Sequence, residues 1–142
     1  MTTAPSPLVF ITGASSGIGQ ALAARFYDAG YRLALVARRT GEIEAWANAR
    51  GLDRGRYLIY SADVARTDSI VAAGAACIER QGVPDVVIAN AGISVGIDTA
   101  EREDLDVLTQ TFATNNVGLA ATFHPFAVSY THLRAHETRG NL

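Results

Sequence analysis

The sequence predicts an α/β fold: a partial doubly wound, Rossmann-type parallel sheet with helices on both faces. Three features predict it. Short apolar runs alternate with stretches of helical period, the runs are apolar at nearly every position, and a glycine-rich segment joins the first run to the first helical stretch. Strands covered on both faces need no polar/apolar alternation, so continuous apolar runs point to a parallel sheet. Right-handed crossovers between such strands carry helices to both sides. The expected strand order is 3-2-1-4, with the later strands of a complete sheet lacking.

Residues 7–12 form a short apolar run closed by Gly13, which reads as a buried strand. From Gly17 the period turns helical: Ile18, Leu22, Phe26 and Ala29 share one face, and Gly30 is the stop. Residues 32–37 (RLALVA) read as a second strand, after which Thr40 is placed to cap a helix reaching about Arg50. Residues 56–62 read as a third strand. Thr67 or Asp68 then opens a helix with Ile70, Val71, Gly74, Cys77 and Ile78 as its apolar face, terminated by Gly82 and Pro84. Residues 85–89 (DVVIA) read as a fourth strand. Finally, Leu105, Leu108, Phe112, Asn115, Leu119, Thr122 and Phe126 recur at helical spacing, which predicts a single long helix with these residues on one face. His124 before Pro125 is expected to end it.

The 142 residues suffice for one compact domain and are too few for two ordinary ones. A net charge of −2 gives no electrostatic reason to expect nucleic acid or an anionic membrane as partner. Cys77 is the single cysteine, which excludes an internal disulfide and fits a reducing, cytoplasmic compartment. Residues 1–7 carry no basic side chain, and residues 8–11 are too short an apolar run for a secretory signal. No stretch has the roughly 20 apolar residues of a membrane span. There is no lysine: every Lys/Arg position is arginine.

The glycine-rich segment is Thr12-Gly13-Ala14-Ser15-Ser16-Gly17-Ile18-Gly19. Gly13 permits a turn closed to residues with a Cβ, Gly17 lets backbone approach a pyrophosphate, and Gly19 lets the helix pack closely. The N–H groups at the helix start favour phosphate. An ordinary glycine-rich turn is the plainer alternative for this segment alone. A triphosphate-binding loop is excluded, because no Gly-Lys-Ser/Thr step follows.

TGASSGIG resembles the TGxxxGxG loop of the short-chain dehydrogenase/reductase family, in its single-domain form. Ala62-Asp63-Val64 resembles the family segment whose aspartate contacts adenine. Asn90-Ala91-Gly92 resembles the NNAG motif, with Ala89 replacing the first asparagine, and Asn115-Asn116-Val117-Gly118 resembles the N-x-x-G segment. The resemblance covers residues 8 to about 126, the N-terminal half of a family member. It implies a nicotinamide dinucleotide bound by Gly13, Ser15, Ser16, Gly17, Ile18, Gly19, Asp63, Val64, Asn90, Ala91 and Gly92. It also implies that Asn115 holds a water of the proton relay. Taken singly, Asp63 could cap a loop and Asn90-Ala91-Gly92 could be a turn.

NAD-preferring family members carry an acid at the end of the second strand, where this chain has Ala37 followed by Arg38 and Arg39. Guanidinium groups suit a 2′-phosphate, so NADP(H) is expected over NAD(H).

The family's chemistry is hydride transfer between a small-molecule carbonyl or alcohol and the cofactor, assisted by a serine, a tyrosine and a lysine four residues after the tyrosine. Tyr130 and Arg134 imitate that spacing. Arginine cannot replace the lysine, and too few residues separate Tyr130 from Asn90 to hold a fifth strand. His132 and His136 with Glu137 suggest a metal pair, but no HExxH and no third ligand accompany them, so no metal is expected. Residues 128–138 (VSYTHLRAHET) resemble one translated frame of a common transposase sequencing adapter. The expected organisation is therefore a truncated cofactor-binding domain over residues 1–127 and a non-native tail over residues 128–142, of which residues 129–142 have neither helical nor strand period. The parent enzyme is expected to be a homo-oligomer, and the chain itself to be inactive. A non-catalytic dinucleotide-binding regulatory module, or a subunit completing a partner's sheet, are the alternative readings.

Overall fold

A computed structural model describes residues 5–15, 17–92 and 100–137, with backbone alone for residues 130–137. The four expected strands form one parallel sheet in the order β3-β2-β1-β4. They are β1 (Leu8–Thr12), β2 (Arg32–Ala37), β3 (Tyr57–Ser61) and β4 (Val86–Ile88). Phe10 pairs with Ala34 on one side and with Val87 on the other, which makes β1 central.

Each strand sends alternate residues to opposite faces, and both faces are covered. Val9, Ile11, Leu33 and Leu35 pack under α1 (Gly17–Asp28) and α2 (Gly41–Ala49), with Ala23 and Ile43 as the buried helix contacts. Leu8, Phe10, Ala34, Val36 and Tyr60 pack under α3 (Thr67–Arg80) and a later helix, through Ile70, Ala73, Cys77 and Phe126. This is the doubly wound arrangement that continuous apolar strands require. Thr40 stands at the start of α2 but makes no side-chain cap, because its backbone is already helical and its hydroxyl is not directed at the first turn. A short 3-10 turn, Arg54–Arg56, was not foreseen; the Asp53 carboxylate holds it by accepting the Gly55 N–H at 2.8 Å.

The last segment departs most from expectation. Three consecutive pieces replace one uniform helix: α4 (Arg102–Phe112), a π-helical stretch (Ala113–Val117) and α5 (Gly118–Glu137). A π turn takes in more residues than an α turn, so a face counted at 3.6 residues before it is rotated after it. Of the expected stripe, Thr122 and Phe126 are buried while Leu105, Phe112 and Leu119 are exposed, at 41%, 53% and 46%; Thr114 and Ala121, outside the stripe, are buried as well. Nor does the helix stop at Pro125. Pro125 fits against Gly74, where a Cβ would lie 2.5 Å from its Cγ, and Phe126 meets Phe10 edge-on at 4.7 Å between centroids. Those contacts hold the helix through the missing proline N–H. The backbone of residues 129–137 continues α5, so the expected lack of helix there is also corrected.

Candidate functional site

The residues that follow the C-terminal ends of all four strands line one cleft of about 640 Å³. Gly13, Ser15, Gly17 and Ile18 come from the β1–α1 turn, and Ala37, Arg38 and Arg39 follow β2. Asp63 and Val64 follow β3, and Asn90, Ala91 and Gly92 follow β4. The crevice beyond the strand ends, here at the neighbouring strands β1 and β4, is the usual ligand position in such sheets.

The β1–α1 turn is shaped by its glycines. Gly13 has φ +64° and lies so close to the β4 loop that a Cβ would sit 2.9 Å from Ala91 N and Cα. Gly17, at φ +51°, has no atom within 4 Å of where its Cβ would be, and so leaves open space at the start of α1. A Cβ on Gly19 would collide with the Gly13 carbonyl oxygen, so Gly19 lets α1 fold back onto the turn and does not itself line the cleft. The first turn of α1, whose N–H groups have no partner within the helix, thus borders the cleft at Gly17 and Ile18. The Gln20 amide fixes the turn by donating to the Ser15 carbonyl at 2.7 Å. Ser16 lies outside the described residues.

The β4 loop is tied to β1 by a residue not singled out from the sequence. The buried Thr12 hydroxyl accepts the backbone N–H groups of Asn90 (3.0 Å) and Ala91 (3.1 Å), and the Asn90 amide donates to the Gly13 carbonyl at 3.3 Å. A β-hydroxyl at the end of a central strand, next to a glycine turn, is the signal that could have marked Thr12.

Asp63 does stabilise its own loop. Its carboxylate accepts the Ala65 N–H at 3.0 Å, and its N–H donates to the Ser69 hydroxyl at 2.9 Å. The plainer expectation for this residue is met, while its other side still faces the cleft. Asn115 does not line the cleft; its Oδ1 lies 3.2 Å from where a Cβ on Gly92 would sit, directly behind the β4 loop. It belongs to the π-helical stretch, a geometry frequent at functional sites. Gly118 closes that stretch, and a Cβ there would collide with the Val64 carbonyl oxygen. The β3 loop and the last helix therefore meet backbone to backbone.

Glu42, Gln110 and Thr114 also line the cleft and were not anticipated. Gln110 comes from α4 and Thr114 from the π-helical stretch that follows it. Glu42 stands in the first turn of α2, three residues after Arg39. Arg38, Arg39 and Glu42 are all exposed at the rim. The side chains of Tyr130, His132, Arg134, His136 and Glu137 lie outside the described residues. Among the described residues no group of three His, Cys, Asp or Glu could hold a metal ion, and no helix is long and apolar enough to cross a membrane.

Comparison with known proteins agrees with this arrangement. A 3-dehydrosphinganine reductase of Arabidopsis thaliana is 32% identical over 133 residues, 93% of this chain and 38% of the relative. D-threitol dehydrogenase of Mycolicibacterium smegmatis is 34% identical over 116 residues, 82% of this chain and 43% of the relative. The chain thus spans about two fifths of these relatives' length. Among solved structures, a short-chain dehydrogenase/reductase from Brucella melitensis superposes with a TM-score of 0.77 at 28% identity, over 85% of this chain and 50% of that one. An alcohol dehydrogenase from the archaeon Thermococcus sibiricus, complexed with 5-hydroxy-NADP, gives 0.77 at 30% identity, over 88% of this chain and 53% of that one. The family model described as short chain dehydrogenase matches residues 7–139, which takes in all four strand-end loops of the cleft. With the glycine turn, the 3-2-1-4 sheet and this match in agreement, the chain belongs to the short chain dehydrogenase family.

Proposed function

We propose that this chain is the NADP(H)-binding part of a carbonyl/alcohol oxidoreductase, whose longer parent form carries out hydride transfer on a small-molecule substrate. The observation that carries the cofactor reading is the end of β2. Ala37 stands where an acid would repel a 2′-phosphate, and Arg38 and Arg39 line the same cleft as the glycine turn. The Thermococcus sibiricus relative, described with an NADP derivative, supports the same reading.

The residues present fit a dinucleotide. The turn from Gly13 through Ser15, Ser16, Gly17 and Ile18, with Gly19 packing α1 behind it, would offer the N-terminus of α1 to the pyrophosphate. Asp63 and Val64 would receive the adenine, and Asn90, Ala91 and Gly92 the nicotinamide side. Arg38 is the main 2′-phosphate ligand, with Arg39 beside it. The cofactor, when bound, supplies or accepts the hydride. Asn115, behind Gly92, is the residue that would hold a relay water. The parent is a cytoplasmic homo-oligomer in this reading, supported by the apolar side chains exposed along α4 and α5 and by the buried, reduced Cys77.

The chain itself is inactive in this reading. A positioned acid–base contributes roughly 10²–10⁴-fold, and a tyrosine needs a neighbouring cation to titrate near neutral pH. No lysine is present, and residues 128–142 are taken as a non-native tail.

Binding of adenosine 2′,5′-bisphosphate and of 5′-AMP, measured by calorimetry, tests the cofactor reading. Arg38→Ala is expected to weaken the bisphosphate by about 1–3 kcal/mol and 5′-AMP little. Equal losses would remove the case for 2′-phosphate recognition. The inactivity is tested by assaying the chain with NADPH and a carbonyl panel beside Tyr130→Phe. Turnover that vanishes in the variant would overturn both the inactivity and the foreign tail. Sequencing the coding DNA beyond Ala127 tests the tail independently.

A further inference from the structure

We propose that Glu42 opposes the 2′-phosphate and so sets how strongly this cleft prefers a 2′-phosphorylated nucleotide. The inference rests on the reading that Arg38 and Arg39 receive that phosphate. Glu42 lines the same cleft as both arginines, and it is the only carboxylate besides Asp63 among the described lining residues. The two acids differ in what surrounds them. Asp63 is held in its loop by the Ala65 N–H, whereas Glu42 is exposed at the rim, in the first turn of α2.

The chain path brings Glu42 to the arginines. Thr40 already has helical backbone angles, and its carbonyl accepts the Glu44 N–H at 3.0 Å. Arg39 and Glu42 are three residues apart across the start of α2, and both line the cleft. A carboxylate there acts on a 2′-phosphate in two ways with the same sign. It repels the phosphate directly, and it competes with it for the guanidinium groups. Both effects are much weaker for a nucleotide that lacks the 2′-phosphate, because its remaining phosphate would lie farther off at the glycine turn.

Glu44 provides the internal control. It stands in the same first turn and carries the same charge, but it lines a separate groove with Asn48, Arg54 and Tyr57. The experiment is calorimetric titration of the whole chain, and of its Glu42→Gln, Glu44→Gln and Arg38→Ala variants, with adenosine 2′,5′-bisphosphate and with 5′-AMP. For like charges at a solvated rim, Glu42→Gln is expected to tighten the bisphosphate by roughly threefold to tenfold, falling with added salt. The change with 5′-AMP should stay under about twofold, as should both changes for Glu44→Gln. Unchanged or weaker bisphosphate binding in Glu42→Gln, or equal gains in both glutamate variants, overturns the proposal. So does a loss of 5′-AMP binding in Glu42→Gln, which would make Glu42 a ribose ligand. If Glu42→Gln behaves in one of these ways while Arg38→Ala remains selective for the bisphosphate, the inference fails and the cofactor reading stands. If Arg38→Ala is unselective, or neither nucleotide binds, the cofactor reading itself fails and takes the inference with it.

Discussion

The centre of the sheet and the long helical segment after residue 101 bury their residues on different terms. Every residue of β1 is buried, and so is every residue of β2 after Arg32. In α4 no residue is buried, and in α5 burial is concentrated where the helix crosses α3 and β1, at Ala121, Thr122 and Phe126. The strands meet helices of this same chain on both faces, so hydrophobic content alone places them. The long helix meets the rest of the chain at a few tight contacts, of the Gly118 backbone and of the Pro125 and Phe126 rings, and those contacts, not its apolar count, decide which way it faces. Apolar pattern is thus a good guide where the covering elements are uniform and a poor one where a single glycine or proline contact sets the rotation.

Paired truncations put the largest effect on this contrast. Phe10→Ala removes a fully buried ring that meets Phe126 and is expected to cost about 3–5 kcal/mol. Phe112→Ala removes an equal ring from an exposed site and should cost less than about 1 kcal/mol. Urea unfolding of both variants checks this, and similar costs would mean that α4 is covered by more than the described residues. Next in size is the junction between the two regions. Gly118→Ala would force a Cβ against the Val64 carbonyl and is expected to cost about 1–3 kcal/mol, with faster amide exchange at residues 64–66. Exchange unchanged there would show that the helix can back away from the β3 loop without disturbing it.

Thr12→Val keeps the shape of a buried side chain but removes the acceptor for the Asn90 and Ala91 N–H groups. A loss of about 1–2 kcal/mol is expected, together with weaker nucleotide binding, because the β4 loop is no longer tied to β1. A stability loss without a binding change would mean that the tie is not what shapes the cleft.

The smallest effect concerns pH. Burial pushes the Cys77 thiol up to about 12, with Arg32 and Tyr60 opposing weakly, and burial likewise pushes Tyr60 up to about 12. A raised value means that the folded state binds the proton more tightly. The associated stability is present below the ordinary thiol value and is lost as pH rises towards 12. By pH 10 the thiol should have cost about 1 kcal/mol, measured as a falling urea midpoint, and Cys77→Ala should flatten that slope. The opposite slope, or no change in the variant, would show that Cys77 is not buried as a neutral thiol.

Much of the cleft was legible because its residues follow strand ends. Gly13, Ser15, Gly17, Ile18, Arg38, Arg39, Asp63, Val64, Asn90, Ala91 and Gly92 all come to one wall, in the order the strands dictate. Gly19 and Asn115 stand one layer behind. Glu42, Gln110 and Thr114 were not legible, since a helix residue reaches a cleft only through the helix's rotation and its position over the sheet. Thr12 was quoted within the motif, yet its two accepted hydrogen bonds come from residues 78 and 79 positions away.

The sequence by itself determined the four strands, α1 to α3 and the glycine turn. These depend on local period and on backbone freedom, which neighbouring residues fix. Only the tertiary structure decided the rotation of the last helix, its passage through Pro125 and the layer that supports the cleft. The physical reason is range. The π turn, the Gly118–Val64 approach and the Pro125–Gly74 contact are settled by atoms distant in the chain, and the backbone adjusts its local geometry to satisfy them.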